Sequence, residues 1–143
     1  MITGYSLSAR NSDMDLLVIH GYLSQSYWAK GIPLETLSRA MEHSLCFGVF
    51  QDSGEQVGFA RMVTDKATFA YLADVFILEE HRGKGLSKAL MTFILKHPDL
   101  QGLRRITLAT RDAHGLYSQF GFQSLAHPQT FMEQWVPDVY TKG

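Results

Sequence analysis

Cysteine is almost absent from this sequence of 143 residues. The single copy, Cys46, excludes an internal disulfide and any metal site built on paired cysteines. Cys46 lies in the apolar stretch SLCFGVF, without a basic neighbour that could activate a thiolate, so we expect a buried core residue instead of a nucleophile. Such sparing use of cysteine fits a reduced compartment, and we expect a cytoplasmic protein.

Long hydrophobic runs are missing too. No apolar stretch approaches the roughly 20 residues that a membrane-spanning helix needs, and the N-terminus does not pair a charged segment with a hydrophobic one. We therefore expect a soluble, unprocessed chain with no membrane partner. The six histidines show no H-x-x-x-H or similar pair at ligand spacing, so we expect no metal.

An excess of one charge is the third feature that the sequence lacks. The formal net charge is -1, and 19% of the residues are charged. The pairs Arg82/Lys84 and Arg104/Arg105 have few aromatic neighbours, so we expect no nucleic-acid partner. The hydrophobic content of 45% and the aromatic content of 12% instead indicate one folded domain that spans residues 1–143.

Apolar periodicity predicts elements in the order β-α-α-β-β-β-α-β-α-β, an α/β arrangement around a mixed sheet. The first helix is expected to begin at Ser12 or Asp13, and Asp112 is the expected N-cap of the last helix. Three consecutive strands should form an antiparallel meander. The other predicted bounds are strands at 3–9, 45–51, 56–63 and 103–110, helices at 34–43 and 85–97, and one or two final strands within 122–136.

The most informative stretch covers residues 68–92, where an aromatic and β-branched run leads through Arg-Gly-Lys-Gly into a helical pattern. Glycines at a strand-to-helix turn let backbone N–H groups converge on a phosphate where the helix dipole is positive. Taken alone, this turn is equally compatible with a solvated basic loop. Two nucleotide motifs fail, because Glu80 replaces the first glycine of a P-loop, and Lys88 and Ala89 stand around the third glycine position of a dinucleotide fingerprint.

Two segments together resemble the GNAT superfamily of acetyl-CoA-dependent N-acetyltransferases. Residues 82–87, RGKGLS, are similar to the R/Q-x-x-G-x-G/A signature, and residues 113–122, AHGLYSQFGF, are similar to A-x-x-L-Y-x-x-x-G-F. The motifs have the family's usual separation, and the resemblance covers nearly the whole chain. It implies a mixed, mostly antiparallel sheet with two splayed parallel central strands flanked by helices, and acetyl-CoA as co-substrate.

The resemblance also implies where coenzyme A binds. The loop at 82–87 offers N–H groups to the pyrophosphate, and strand residues 75–78 bond the pantetheine arm where they splay from the strand at 103–110. Ser87 departs from the usual Gly or Ala, and Thr110 stands where many members carry Asn, with Asp112 as a candidate substitute. The implied cofactor-binding residues are Val75, Phe76, Ile77, Leu78, Arg82, Gly83, Lys84, Gly85, Leu86, Ser87, Thr110 and Asp112.

Tyr117 takes the tyrosine position of the family, and its implied catalytic role is to protonate the departing coenzyme A thiolate. A phenol of pKa about 10 gives a proton to a thiolate of pKa about 8.5 only against a gradient, so hydrogen bonding alone is an alternative contribution. A tyrosine that simply packs the helix is the structural alternative.

Asp74 is the candidate catalytic base, because it is the lone acid within FAYLADVFIL. Strand alternation places it beside Leu72, Phe76 and Leu78, where burial would make it a better base. A carboxylate bonded to nearby backbone or to an arginine explains the same residue equally well.

These expectations describe an N-acetyltransferase that passes acetyl directly to a primary amine of a small molecule or peptide, since no credible nucleophile is visible. Tyr27 and Trp28 lie in the loop where the family builds its acceptor wall, although aromatics that merely anchor the loop are an equal alternative. A non-catalytic acyl-CoA-binding or interaction module is the alternative function. The sequence does not identify the acceptor, and the aromatic tail with Phe131, Trp135 and Tyr140 suggests a strand-mediated homodimer.

Overall fold

Within residues 2–141, which the computed structural model describes, the chain forms one five-stranded sheet with helices packed against it. The strands are β1 (Tyr5–Ser8), β2 (Leu45–Gln51), β3 (Gln56–Thr64), β4 (Phe69–Ile77) and β5 (Arg105–Leu108). The helices are α1 (Leu16–Leu23), α2 (Leu34–Glu42), α3 (Leu86–Leu95) and α4 (His114–Ser118). The strands lie in chain order across the sheet, with β1 to β4 antiparallel and β5 parallel to β4. The predicted fold class and the antiparallel meander are confirmed.

Helices cover both faces of the sheet, so the sheet is the middle of three layers. Burial of both faces explains why the central strands read as almost continuous apolar runs. The buried side chains on the face of α3 and α4 include Phe47, Leu72, Leu86, Leu90 and Tyr117. The buried side chains on the face of α1 and α2 include Ile19, Leu37, Cys46, Phe59 and Phe76.

The first helix begins later than the sequence predicted. Its N-cap is Asp15, whose carboxylate accepts a hydrogen bond from the Val18 N–H at 3.2 Å. Asp13 is not available for this role, because its Oδ2 accepts hydrogen bonds from the Ser8 hydroxyl at 2.6 Å and the Arg10 Nε at 3.2 Å. The predicted start at Asp13, or at the serine before it, is therefore wrong.

No strand follows β5 within the described residues, so the prediction of one or two final strands in 122–136 is wrong. Phe131 is 41% exposed and its neighbour Met132 is 97% exposed, so the apparent alternation does not separate a buried face from an open one. A 3-10 turn at Pro128–Thr130 interrupts the segment instead. Consequently β5 lies at the edge of the sheet and not in its centre. The strand on which the predicted strand-mediated homodimer depended is absent from the described residues.

β4 and β5 separate before β4 ends. Their parallel pairing runs from Phe69 opposite Arg105 to Leu72 opposite Leu108. β4 then continues to Ile77 without a partner on that side, whereas β5 is shorter than the predicted 103–110. The expected splay between two parallel strands is therefore present, at the carboxyl end of β5.

A β-bulge in β4 changes which residues share a face. Ala73 and Phe76 lie three positions apart, whereas their partners in β3 lie two apart, so β4 carries one extra residue. Asp74 lies at this point with a φ of 59°, in the left-handed region. Leu72 consequently packs on the α3 side of the sheet and Phe76 on the α1 side. The prediction that Asp74 lies beside Leu72 and Phe76 on a single face is therefore wrong.

Candidate active site

A cleft of about 910 Å³ opens where β4 and β5 separate. The end of β4, the α1–α2 loop, the loop after β5 and the first turns of α3 and α4 border it. The structure thus brings most of the predicted site residues together. Those that line the cleft are Tyr27, Trp28, Asp74, Val75, Phe76, Ile77, Arg82, Ser87, Thr110, Asp112 and Tyr117. The predicted residues outside the lining are Leu78, Gly83, Lys84, Gly85 and Leu86.

The loop before α3 presents a row of unpaired backbone donors. Gly83 and Gly85 have φ values of 79° and 82°, a left-handed conformation that glycine adopts without strain. The N–H groups of residues 83–88 donate to no other group in the described part of the chain, and the first helical bond runs from the Ala89 N–H to the Gly85 carbonyl. Converging N–H groups at the positive end of a helix form an anion-binding geometry.

Arg82 supports this loop from the side. Its Nε donates to the Ile77 carbonyl at 2.9 Å, and one terminal nitrogen donates to the Tyr22 hydroxyl at 3.0 Å. The Tyr22 ring in turn stacks on Phe76, with centroids 4.1 Å apart and planes at 10°. The guanidinium therefore ties the glycine loop to the end of β4 and to α1.

The free edge of β4 has a limited set of available backbone groups. The Leu78 N–H already donates to the Val57 carbonyl at 2.8 Å. Backbone direction alternates along a strand, so Phe76 also bonds towards β3, whereas Val75 and Ile77 face the gap. The Ile77 carbonyl accepts from Arg82. Among the four predicted strand residues, Val75 therefore offers the most complete pair of main-chain groups to a ligand.

Asp74 is almost buried, and each of its carboxylate oxygens has a hydrogen-bond partner. Its side chain is 8% exposed, Oδ2 lies 2.8 Å from the Arg61 Nε, and Oδ1 accepts a hydrogen bond from the Trp28 Nε1 at 2.9 Å. Arg61 also donates to the Ser44 hydroxyl at 3.1 Å. The arginine-bonded carboxylate, one of the two interpretations open from the sequence, is the arrangement that the structure has.

Tyr117 lies in α4, which follows the point where β4 and β5 separate, and it is 8% exposed. Its ring meets Phe122 edge to face at 6.0 Å. Burial, and to a smaller extent the neighbouring Tyr27 phenol, raises the pKa of the Tyr117 hydroxyl. The phenol is therefore protonated at neutral pH and available as a donor into the cleft.

The α4 start differs from the predicted one. Thr110, through its side-chain oxygen, accepts a hydrogen bond from the Ala113 N–H at 3.1 Å. Asp112 is exposed and is not the N-cap, so that prediction is wrong. The Thr110 side chain therefore closes the turn that leads into α4, because it bonds the N–H three residues further along the chain. This is the usual reach of a short side-chain acceptor.

A profile of the acetyltransferase (GNAT) family matches residues 16–122. This chain belongs to the GNAT family. A Gibberella zeae protein, described as a "putative acetyltransferase", is 34% identical over 113 residues, which cover 65% of this chain and 63% of that relative. The chain thus spans less than two thirds of the length of this relative.

Solved structures agree with the family assignment. A GNAT-family protein from Xanthomonas campestris is 55% identical, has a TM-score of 0.95, and is covered in full by 99% of this chain. A Mycobacterium tuberculosis protein solved in complex with CoA and NLQ shares the fold at 22% identity and a TM-score of 0.65, over 84% of this chain and 72% of that one. The GNAT fold of the present chain is therefore secure over its length.

The aromatic residues of the α1–α2 loop in this GNAT chain are exposed and pack against each other. Tyr27 is 52% exposed and Trp28 41% exposed, and their rings meet edge to face at 5.0 Å. The guanidinium carbon of Arg111 lies 3.8 Å from the Tyr27 ring centroid. Sequence reasoning missed Tyr22, Arg61 and Arg111. An arginine inside the apolar strand QVGFARMV could have signalled Arg61, because a buried charge needs a partner. Nothing local marked the other two.

Cys46 is fully buried, as predicted. Burial raises the pKa of its thiol to about 11, which keeps it protonated and unreactive at neutral pH. Among residues 2–141, no group of three His, Cys, Asp or Glu side chains is placed to hold a metal ion. None of the helices in that range is long and apolar enough to cross a membrane.

Proposed function

We propose that this GNAT chain is an N-acetyltransferase that binds acetyl-CoA in the cleft and passes acetyl directly to a primary amine of a small molecule or peptide. The observation that carries the proposal is the row of unpaired N–H groups at residues 83–88, placed beside the free edge of β4. A phosphate-bearing ligand with an extended arm fits both features at once.

Acetyl-CoA would supply an activated thioester. The pyrophosphate would rest on the N–H groups of residues 83–88, with the exposed Lys84 adding positive charge. Val75 would bond the pantetheine arm as an added strand bonds a sheet edge. The CoA complex of the Mycobacterium tuberculosis fold neighbour supports this choice of ligand.

The residues of this chain would contribute a hydrogen-bond donor for the leaving group and a wall that positions the acceptor. Tyr117 holds its proton tightly, because burial raises the pKa of the phenol, so it would stabilise a leaving thiolate chiefly by donating a hydrogen bond. Tyr27 and Trp28 would form one wall of the acceptor site. A covalent acetyl-enzyme is disfavoured, since Cys46 is buried with a raised pKa.

A non-catalytic acyl-CoA-binding module is the second candidate function. The engagement of both Asp74 oxygens favours it, because a carboxylate that already bonds Arg61 and Trp28 is a weaker candidate for taking a proton from an attacking amine. Release of free thiol from acetyl-CoA, dependent on an added amine, distinguishes an enzyme from a binding module.

Ligand binding is tested first, by thermal shift with acetyl-CoA against ATP and NAD. A ligand at one hundred times its Kd stabilises the folded state by about 2.7 kcal/mol. We expect a shift with acetyl-CoA and a smaller one or none with the other two. A protein stabilised equally by ATP would contradict the proposed specificity, and one that ignores acetyl-CoA would contradict the proposed function.

A further inference from the structure

Arg111 occupies a distinctive place in the cleft. It lies on the loop after β5 and is exposed, with its guanidinium 3.8 Å from the centroid of the Tyr27 ring. Tyr27 belongs to the α1–α2 loop, so this contact joins the two loops across the mouth of the cleft. A ring face holds a guanidinium by cation–π attraction but leaves its outward N–H donors and its charge available.

The charge of Arg111 is also unmatched. The ion pairs within residues 2–141 join Arg10 to Asp13, Arg61 to Asp74 and Lys66 to Asp99, and none includes Arg111. Arg82 is engaged by the Ile77 carbonyl and the Tyr22 hydroxyl. The acids that line the cleft are Asp74, which Arg61 neutralises, and the exposed Asp112. The arginines that line the cleft are Arg82 and Arg111, so once Arg61 has neutralised Asp74, two lining guanidinium groups remain against the one carboxylate of Asp112.

We infer that the acceptor is an amine that also carries a carboxylate, and that Arg111 binds this carboxylate. The inference rests on the proposed N-acetyltransferase function. A polyamine or any purely cationic amine would be repelled by the unmatched guanidinium. A carboxylate-bearing amine gains a charge-assisted, fork-like contact instead.

The exposed rings of Tyr27 and Trp28 supply an apolar wall beside the carbon chain that connects the two ends of the acceptor.

Matched acceptor pairs test the inference. Glycine, β-alanine, γ-aminobutyrate and lysine are each compared with the corresponding carboxamide, and thiol release is measured at saturating acetyl-CoA. We expect kcat/KM to be about tenfold or more higher for at least one acid than for its amide. An acidic dipeptide and its amide, included in the same set, distinguish a peptide acceptor from a free small molecule.

Substitutions then assign the preference to Arg111. R111Q should reduce the acid to the rate of its amide while leaving the KM for acetyl-CoA unchanged, and R111K should retain part of the preference. R104Q, which changes an exposed arginine outside the cleft, is the matched control and should behave like the wild type.

Several outcomes would overturn the inference. Equal rates for acids and amides would do so, as would a preference that survives in R111Q. A raised KM for acetyl-CoA in R111Q would assign Arg111 to the coenzyme instead. If acetyl-CoA binds but none of the acids is acetylated, this inference fails, whereas the proposed function fails only if no amine of a broader panel is acetylated. If R111Q does not fold, the wild-type comparison and R111K still decide.

Discussion

Arg61 and Asp74 form a nearly buried ion pair, with Nε and Oδ2 2.8 Å apart and side chains 18% and 8% exposed. The second oxygen of Asp74 holds the indole of Trp28 at 2.9 Å. Because Trp28 lines the cleft, Asp74 connects the core of the sheet to the α1–α2 loop at the cleft wall. We therefore propose that Asp74 anchors Trp28 and does not serve as the base that takes a proton from the acceptor.

Asp74→Asn should destabilise the fold by about 3 kcal/mol, because it leaves the Arg61 guanidinium without its counter-ion. Urea unfolding measures the loss. Asp13→Asn breaks the exposed Arg10–Asp13 pair and should cost much less, because solvent screens an exposed ion pair, which makes it the control. An anchor also predicts that Trp28→Phe lowers turnover about as much as Asp74→Asn. If Asp74→Asn instead removes a limb of the pH–rate profile that Trp28→Phe retains, Asp74 is the base.

Gly83→Ala and Gly85→Ala should each weaken acetyl-CoA binding. Both glycines have a left-handed φ, and alanine there costs roughly 1 kcal/mol or changes the loop that aims the N–H groups. Gly54→Ala is the matched control, since Gly54 has a φ of 101° and lies in the β2–β3 turn. Calorimetric titration should show a loss of affinity in the loop variants and none in Gly54→Ala. Equal affinities in all three would contradict the anion-binding role of the loop.

Tyr117→Phe should lower kcat by tenfold or more, on the order of one lost donor to a developing charge, and leave acetyl-CoA affinity nearly unchanged. Tyr71→Phe removes the hydroxyl of an exposed tyrosine in the same cleft and should have little effect on turnover. Single-turnover kinetics with both variants separates binding from chemistry. Wild-type turnover by Tyr117→Phe would exclude the phenol from the reaction.

Cys46 should make the fold sensitive to alkaline pH. Its thiol pKa rises from 9.0 in the unfolded reference to about 11 in the folded protein, so the folded state holds the proton more tightly. Stability is therefore fully present below pH 9 and falls by up to about 1.4 kcal/mol per pH unit between pH 9 and 11. Urea unfolding of wild type and Cys46→Ala at pH 8 and pH 10 isolates this contribution, because the other titrating groups are shared. Parallel losses in the two proteins would show that the thiol does not contribute.

The sequence predicted the elements that have strong periodicity and clear boundaries. β2 is bounded as predicted because an apolar run ends at a polar turn, and α3 starts directly after Gly85, where a left-handed glycine ends the loop. The strand prediction for residues 122–136 was wrong, because an alternating composition specifies a strand only when a neighbouring strand pairs with it. Tertiary pairing, which no local pattern contains, decided that outcome.

The residues of the candidate site were likewise predictable from the sequence only in part. Arg82, Ser87 and Tyr117 belong to continuous motifs, and all three line the cleft, whereas Gly83 and Gly85 between them lie outside its lining. The bulge at Asp74 was not predictable, because one extra residue shifts the parity of a strand without leaving a local signal. Arg61 and Arg111 reach the site from elements that lie far apart in sequence, and their partners Asp74 and Tyr27 became evident only with the fold.

The contacts of Arg82 have a consequence for how a ligand associates. Since this guanidinium joins the glycine loop to the Ile77 carbonyl and to the Tyr22 hydroxyl, the loop is held in shape by protein atoms alone. An anion that arrives there has little chain to order and loses little conformational entropy on the protein side. Association should accordingly be governed by diffusion and charge, with an on-rate that falls as salt rises, and Arg82→Ala should slow it by returning that ordering step to the encounter.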